Sequence, residues 1–271
     1  MKTTQITEEI DAMDETVFSQ SSEIVQVGFT TDKNTLLQIV KSAECMVSDA
    51  TFTIDEEGLS FREMDPSHVS LVDMGIPNSC FEKWSCIEKQ SFALSIKEFR
   101  QLVSSLDAKG SVKMIIQDEK ILVSQNGFSA SIKTLEASNN DVPLPRIPYD
   151  STLIFSENTS VSSLEFTKTL RKISTVSDYV TINCDDNKVI LSGKGDNGNS
   201  QKTYDREEIE INNRQDSETT YSFEYLMPFL KTLDKDSTIE LGFSTTKPLR
   251  IQTKINNLGR VDMYLAPRVE N

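Results

Sequence analysis

The sequence predicts an α+β fold built twice, as two similar domains of antiparallel sheet with two helices each. Three observations predict it. Short runs alternating apolar and polar residues recur along the chain, and four longer stretches switch to helical spacing. The order of these segments beyond residue 151 repeats the order before 136, at an offset of about 127 to 128 read from Ile54 against Ile182 and Phe99 against Leu226. So long a period marks a duplicated domain rather than a solenoid repeat of about 20 to 50 residues. Between the copies lies A-S-N-N-D-V-P-L-P-R-I-P-Y-D, Ala137–Asp150, whose three prolines hold it extended. Val142, Leu144, Ile147 and Tyr149 give this connector apolar teeth, so it is expected to lie against something. The expected boundaries are therefore an acidic extension 1–22, an N-terminal domain 23–136, the connector 137–150 and a C-terminal domain 151–271.

In chain order, residues 1–22 are polar and acidic, which predicts a disordered extension, with one short helix through Ile10, Met13 and Val17 as the alternative. Ile24–Phe29 reads as a strand. Thr31 or Asp32 can then cap a helix whose apolar positions are Leu36, Ile39, Val40, Ala43 and Val47. Thr51–Ile54 and Leu59–Arg62 alternate around Asp55-Glu56-Glu57-Gly58 and predict a hairpin. Met64-Asp65-Pro66 bends the chain before a strand over Val69–Met74. Ser95 is placed to cap a second helix with Ile96, Phe99, Leu102, Val103 and Leu106 inward, and strands follow at Val112–Ile116, Ile121–Ser124 and Phe128–Leu135.

After the connector come a strand at Leu153–Phe155, a helix within Val161–Val176, a hairpin of Tyr179–Asn183 with Lys188–Ser192, and strands at Gln201–Tyr204 and Glu208–Ile211. A short helix follows through Leu226, Phe229, Leu230 and Leu233. Pro228 is tolerated only in a first turn, so that helix is expected to start late, near Tyr225, or to kink. Ile239–Phe243, Leu249–Ile255 and Val261–Leu265 close the chain as strands.

The 271 residues, 37% hydrophobic, can bury two ordinary cores without staples. Cys45, Cys80, Cys86 and Cys184 lack zinc or disulfide spacing and read as reduced core thiols of a cytosolic or nuclear protein. No run reaches the roughly 20 apolar residues of a membrane span, and no basic-then-apolar leader opens the chain, so no membrane partner is expected. Enzyme signals are weak, and no catalytic residue, metal or cofactor is expected. Gly193–Gly198 spells G-x-G-x-x-G, but Asn199-Ser200-Gln201 follows where a dinucleotide fold needs an apolar helix. Asp185-Asp186 and Asp55-Glu56-Glu57 sit at equivalent hairpin turns, and the single histidine, His68, leaves no triad to assemble.

The net charge of −14 argues against nucleic acid, yet its distribution does not. The four helical stretches sum to +3 and the rest of the chain to −17, with Lys168, Arg171 and Lys172 as the strongest cluster. An acidic protein with one relatively basic helical face suits sequence-blind contact with phosphates. Charges facing water on an amphipathic helix are the plainer alternative.

Met64-Asp65-Pro66-Ser67-His68-Val69-Ser70-Leu71, the G-K-G-D-N-G-N of Gly193–Asn199, Lys247-Pro248-Leu249 and the ending Tyr264-Leu265-Ala266-Pro267-Arg268-Val269-Glu270 resemble the sliding clamps of the proliferating cell nuclear antigen family, archaeal and eukaryotic. The resemblance runs in register from about Glu23 to Asn271. It implies a clamp fold closed into a trimeric ring, helices lining a hole through which duplex DNA passes, and no catalytic activity. The implied role is a processivity factor that tethers DNA polymerase, flap endonuclease and DNA ligase, and is opened by a clamp loader. The implied DNA-facing residues are Lys168, Arg171, Lys172 and Lys231, with Lys97, Arg100, Lys33 and Lys41. The implied client-peptide pocket takes Met64, His68, Val69 and Leu71 from the first domain, Leu144 and Ile147 from the connector, and Pro248, Tyr264, Ala266 and Pro267 from the second. The implied subunit seam pairs Phe128–Thr134 with Asn199–Asp205 of a neighbour, through Phe128, Ala130, Ile132, Ser200, Lys202 and Tyr204. Location would be cytoplasmic in an archaeon and nuclear in a eukaryote. A homotrimer is expected, with two readings left open: a checkpoint-type or heterotrimer subunit with other partners, and a nucleotide-dependent enzyme using the glycine loop.

Overall fold

The computed structural model describes residues 26–138, 142–156, 158–234 and 237–268. The predicted extension 1–22, the first residues of the predicted opening strand and connector positions 139–141 lie outside the described residues.

In the first half, β1 (Gly28–Asp32) leads into α1 (Lys33–Glu44). The hairpin β2 (Asp49–Ile54) and β3 (Gly58–Met64) follows, then β4 (Ser70–Pro77), β5 (Lys83–Ser85), β6 (Gln90–Ser95) and α2 (Ile96–Ser105). A meander of β7 (Ser111–Ile116), β8 (Lys120–Gln125) and β9 (Phe128–Lys133) ends the half. The second half runs β10 (Ser151–Phe155), α3 (Ser163–Ile173), β11 (Tyr179–Cys184), β12 (Lys188–Gly195), β13 (Gly198–Asp205), β14 (Glu210–Asn213) and β15 (Ser217–Ser222). It closes with α4 (Phe223–Leu230), β16 (Ile239–Phe243), β17 (Leu249–Ile255) and β18 (Gly259–Leu265).

The same local chemistry starts each half. Asp32 caps α1 by accepting from the Asn34 and Thr35 N–H groups, and Ser162 caps α3 in a reciprocal capping box with Glu165. The Asp55 carboxylate closes the first hairpin by accepting from Glu57 N (2.9 Å) and Gly58 N (3.1 Å). Asp185 closes the second from Asn187 N (2.8 Å) and Lys188 N (3.0 Å). These acidic residues therefore close turns. The caps and turns lie 130 positions apart, and the starts of α2 and α4 lie 127 apart. The counterpart of Ile54 is thus Cys184, not Ile182; a slip of two residues keeps the same sheet face, so alternation could not detect it.

Among the described residues the strands form three sheets. The first half alone supplies β5-β1-β7-β8-β9, and the second alone supplies β13-β12-β11-β15. The third is shared, in the order β14-β10-β16-β17-β18-β4-β3-β2-β6, with β18 pairing antiparallel to β4 where the halves meet. One core cluster runs through both halves, from Leu36, Phe52 and Phe99 to Phe155, Phe166 and Phe229. Phe155 and Phe166 stack at 4.2 Å, and burying side chains of this size contributes about 1.5–3 kcal/mol each.

Several expectations are corrected. The first strand lies at Gly28–Asp32, so Asp32 ends a strand and caps a helix at once. Val69 precedes β4 instead of opening it. Ser95 stands at the N-cap of α2, but its side chain makes no capping bond. β15 was not expected, because Ser217–Ser222 carries only Tyr221 as a large apolar residue, though Ser217, Thr219 and Tyr221 are all buried. α4 begins at Phe223, earlier than Pro228 suggested. The missing N–H removes one bond inside the helix, but Phe223, Leu226, Phe229 and Leu230 are all buried, and that packing outweighs the deficit. All four cysteines are free, and Cys45 and Cys80 are half-buried rather than core.

Candidate functional site

Helix amphipathicity decides where the cations can go. In α3 the apolar positions Phe166, Leu170 and Ile173 are buried, which leaves Lys168, Arg171 and Lys172 exposed on the other face. No ion pair or hydrogen bond to another described residue engages these three side chains. Lys231, the C-cap of α4, is exposed as well. The first half differs. α1 packs against α2, and the Lys33 ammonium donates to the Ser104 carbonyl at 2.8 Å and to the Leu106 carbonyl. Lys33 thus satisfies carbonyls at the end of α2 and is not brought to the free cations. Arg100 pairs with Glu44 at 2.6 Å, Lys97 is exposed, and Lys41 is half-buried.

Of the expected pocket residues, Met64, Val69, Leu71, Tyr264 and Ala266 are brought together at the joint. Cross-strand register sets Met64 of β3 opposite Leu71 of β4, and Leu71 opposite Tyr264 of β18, in one row that crosses from half to half. The ladder continues past the strand end, where Ala266 N donates to the Val69 carbonyl at 2.8 Å. Tyr264 also faces Arg250 of β17, which faces Gly242 of β16. The connector straps this surface. Ser138 bonds with the Thr51 hydroxyl at 3.0 Å, and the Val142 carbonyl accepts from Arg62 at 3.3 Å. At its far end Tyr149 packs on Gly242, where a Cβ would come within 2.9 Å of the ring, and the Arg250 guanidinium lies 5.5 Å from the ring centroid. Leu144 and Ile147 are half-buried between these anchors. Pro248 and Pro267 are half-buried next to β17 and β18, and His68 is exposed in the left-handed region at φ 58°.

Asp65, not foreseen as a site residue, builds the loop that carries His68 and Val69. Its carboxylate accepts from Ser67 N (2.8 Å), Val69 N (2.8 Å), Ser70 N (2.5 Å) and the Ser70 hydroxyl (3.1 Å). Burial alone would raise this carboxyl, but those bonds outweigh it and hold it below the usual carboxylate range. An aspartate two residues before a serine after a bend is the signal that could have revealed it.

Beside the apolar row runs a charged one. Arg62 faces Asp73 at 2.7 Å, Asp73 faces Asp262 across the joint, and Asp262 accepts from the Gln252 amide at 2.8 Å. Like charges directly opposite in a sheet repel. Here Arg260 forks between them, reaching Asp73 at 2.6 Å and also Asp262. Burial pushes the Asp262 carboxyl up, with Arg260 and Gln252 pulling the other way. Asp73 and Asp262 are only 3% and 0% exposed, so their charges depend on these partners.

The strands expected at a seam both lie at open edges, β9 on the five-stranded sheet and β13 on the four-stranded one. Phe128 is 48% exposed, Ala130, Ile132 and Ser200 are half-buried, and Tyr204 is buried with its hydroxyl on Thr169. The Lys202 ammonium sits 4.7 Å from the Tyr204 ring centroid and 3.2 Å from Glu208. Gly193–Gly198 spans the end of β12, the turn Asp196-Asn197 and the first residue of β13, with Gly195 paired to Gly198, and a strand follows it where a dinucleotide fold needs a helix. Among the described residues, no cluster of histidine, cysteine or carboxylates could hold a metal ion, and no helix is long and apolar enough to cross a membrane.

Two like halves fused through one sheet, with free cations on helices and a connector strapped across the joint, make up the duplicated clamp fold. Family models of the proliferating cell nuclear antigen match in tandem, the N-terminal domain at residues 29–141 and the C-terminal domain at 144–268. A DNA polymerase sliding clamp of Nitrosopumilus maritimus is 41% identical over 248 residues, covering 89% of this chain and 98% of the relative. One from Cenarchaeum symbiosum is 36% identical with the same coverage. The chain belongs to the proliferating cell nuclear antigen family. The fold is shared with a solved structure of the C-terminal region of FEN-1 bound to A. fulgidus PCNA, at a TM-score of 0.83 and 20% identity over 90% of this chain and 99% of the other. It is also shared with the PCNA2-PCNA3 complex from Sulfolobus tokodaii, at a TM-score of 0.80 and 22% identity over 90% and 100%.

Proposed function

We propose that this chain is a DNA sliding clamp: three copies close head to tail through β9 and β13 into a ring around duplex DNA. In this reading 23–136 and 151–271 are the two domains and 137–150 the connector between them. Lys168, Arg171, Lys172 and Lys231, joined by Lys97, Lys41 and the partly engaged Arg100, face the phosphates. The contact is loose, because long side chains near a uniform phosphate lattice hold position without reading bases. The acidic exterior repels DNA from the wrong surface. The chain works as a non-catalytic intracellular tether for polymerase, flap endonuclease and ligase.

The observation that carries this reading is the apolar row Met64–Leu71–Tyr264 crossing the joint beneath an anchored connector. Leu71 and Tyr264 are buried and floor the site, so a client peptide can set apolar anchors against the half-buried Met64, Leu144 and Ile147 while its backbone pairs along the connector. The double variant Ile147→Ser with Ala266→Asp is expected to abolish binding of a client peptide from flap endonuclease in calorimetric titration. Native mass spectrometry of the same sample is expected to give three times the chain mass of 30.5 kDa. Undiminished titration heat would remove the groove assignment, and a monomeric mass of the unsubstituted chain would remove the homotrimer. A heterotrimer member is the second reading. It is favoured by β9, where Phe128-Ser129-Ala130-Ser131 offers little charge to select an identical neighbour.

A further inference from the structure

The charged row crosses the joint, where Arg260 of the second half reaches Asp73 of the first. Its members come from β3, β4 and β18, and each bond is made on the sheet face turned away from the core, the face the connector crosses. Among the described residues Arg62 has two partners. Its Nε donates to Asp73, and its Nη1 donates to the Val142 carbonyl of the connector. Asp73 in turn is held by Arg260, which belongs to the other half and also binds Asp262. A single unbroken path of polar contacts therefore leads from the connector, through the first half, into the last strand of the second.

We propose that Arg62, Asp73, Arg260 and Asp262 form a positioning device that ties the height of the connector above the groove to the pairing of the two halves. The argument is geometric. The charged row and the apolar row are neighbours on the same three strands, with Arg62 two residues before Met64, Asp73 two after Leu71, and Asp262 two before Tyr264. Any shift of β18 against β4 moves Tyr264 relative to Leu71 and, through Arg260 and Asp73, moves Arg62 and the Val142 carbonyl with it. A peptide entering the groove from the connector side would load the same path in reverse. Both aspartates are buried, so neither can trade its arginine for water as a surface ion pair could. Arg62 and Arg260 are positioning residues: they act on the client through the connector and the joint.

The proposal rests on the groove reading for its consequence, but its test does not. Connector exchange is read in the full-length protein from the Ser138 and Asp150 amides, which donate to the Thr51 hydroxyl at 3.1 Å and the Ser244 hydroxyl at 2.8 Å at the two ends of the connector, for Asp73→Asn, Arg62→Gln and the double variant. Asp73→Asn keeps the shape of the side chain and leaves the Arg260–Asp262 contact in place. Each single variant is expected to speed connector exchange roughly tenfold, the scale set by removal of one charged hydrogen bond. The double variant should add nothing further, because both break the same path. Exchange within α1 and β7 should stay unchanged, which separates failed positioning from global loosening. Client-peptide affinity should fall several-fold in the same variants while the native mass is retained. Connector exchange unaltered in Asp73→Asn, or additive effects in the double variant, would overturn the path. Faster connector exchange with unaltered peptide affinity would keep the path but sever it from the groove, overturning its role in client binding.

Discussion

The two halves share a backbone plan and treat their cations differently. Each opens with a capped helix and an aspartate-closed hairpin, at the same separation. In the first half Lys33 is tied to the end of α2 and Arg100 to Glu44, whereas Lys168, Arg171 and Lys172 have no such partner among the described residues. Local devices that make turns and helix ends repeat because the backbone requires them, while an exposed side chain is free to serve packing in one copy and a ligand in the other. The largest expected effect tests that division. Reversing Lys168, Arg171 and Lys172 to glutamate should lower retention on circular duplex DNA by more than about tenfold. It should also flatten the salt dependence by roughly one unit of slope for each phosphate no longer neutralised. The control is Lys33→Met, which should lower the melting temperature and leave retention alone. Equal drops in retention from the two variants would erase the contrast between the halves.

The second contrast lies between two turns, one in each half. Asp65, between β3 and β4, accepts three backbone bonds, while Asp196, between β12 and β13, is exposed. Asp65→Ala should cost about 2–4 kcal/mol, since several N–H groups lose their acceptor. Asp196→Ala should stay within about 0.5 kcal/mol. The folded-state value of Asp65 lies below the unfolded one, so its contribution is full above the ordinary carboxylate value of 3.8 and is lost as pH falls through the lower, folded value. Thermal melts of the unsubstituted chain and Asp65→Ala should therefore converge only below that point. A constant gap through about pH 3, beneath the ordinary carboxylate range, would mean that the carboxylate charge is not what holds the loop.

Legibility in the sequence followed contact range. Helices, hairpins and the duplication were readable because each has a local signature: the spacing of Leu36, Ile39, Val40 and Ala43, or an aspartate ahead of Gly58. The family motif carried Met64, Leu71 and Tyr264, and the structure then sets these three in one row. The charged row beside them was invisible. Arg260 and Asp73 are 187 positions apart, and nothing in either neighbourhood announces the other. Each would have been read as a solvated surface charge, yet the aspartates are buried by a pairing between halves that periodicity cannot foresee. Pro228 misled for a related reason: propensity speaks for an isolated helix, and α4 is held by the core.

The smallest expected effect concerns the caps, where the halves also part. Ser162 accepts from Glu165 N at 3.3 Å and its own N–H is held by the Glu165 carboxylate at 3.2 Å, whereas Ser95 occupies the same kind of position with no such bond. Ser162→Ala should therefore cost about 1 kcal/mol, as is typical for a working cap. Ser95→Ala should cost close to nothing, because Ile96 N already donates to the Ser48 carbonyl and α2 starts from a strand that fixes its direction. Glu165→Ala separates the two parts of the box: it keeps the bond to Glu165 N and deletes the return bond, so its melting temperature should fall between those of the unsubstituted chain and Ser162→Ala. Equal melting temperatures for Ser95→Ala and Ser162→Ala would show that the serines act through intrinsic helix preference and not through the bonds that distinguish them.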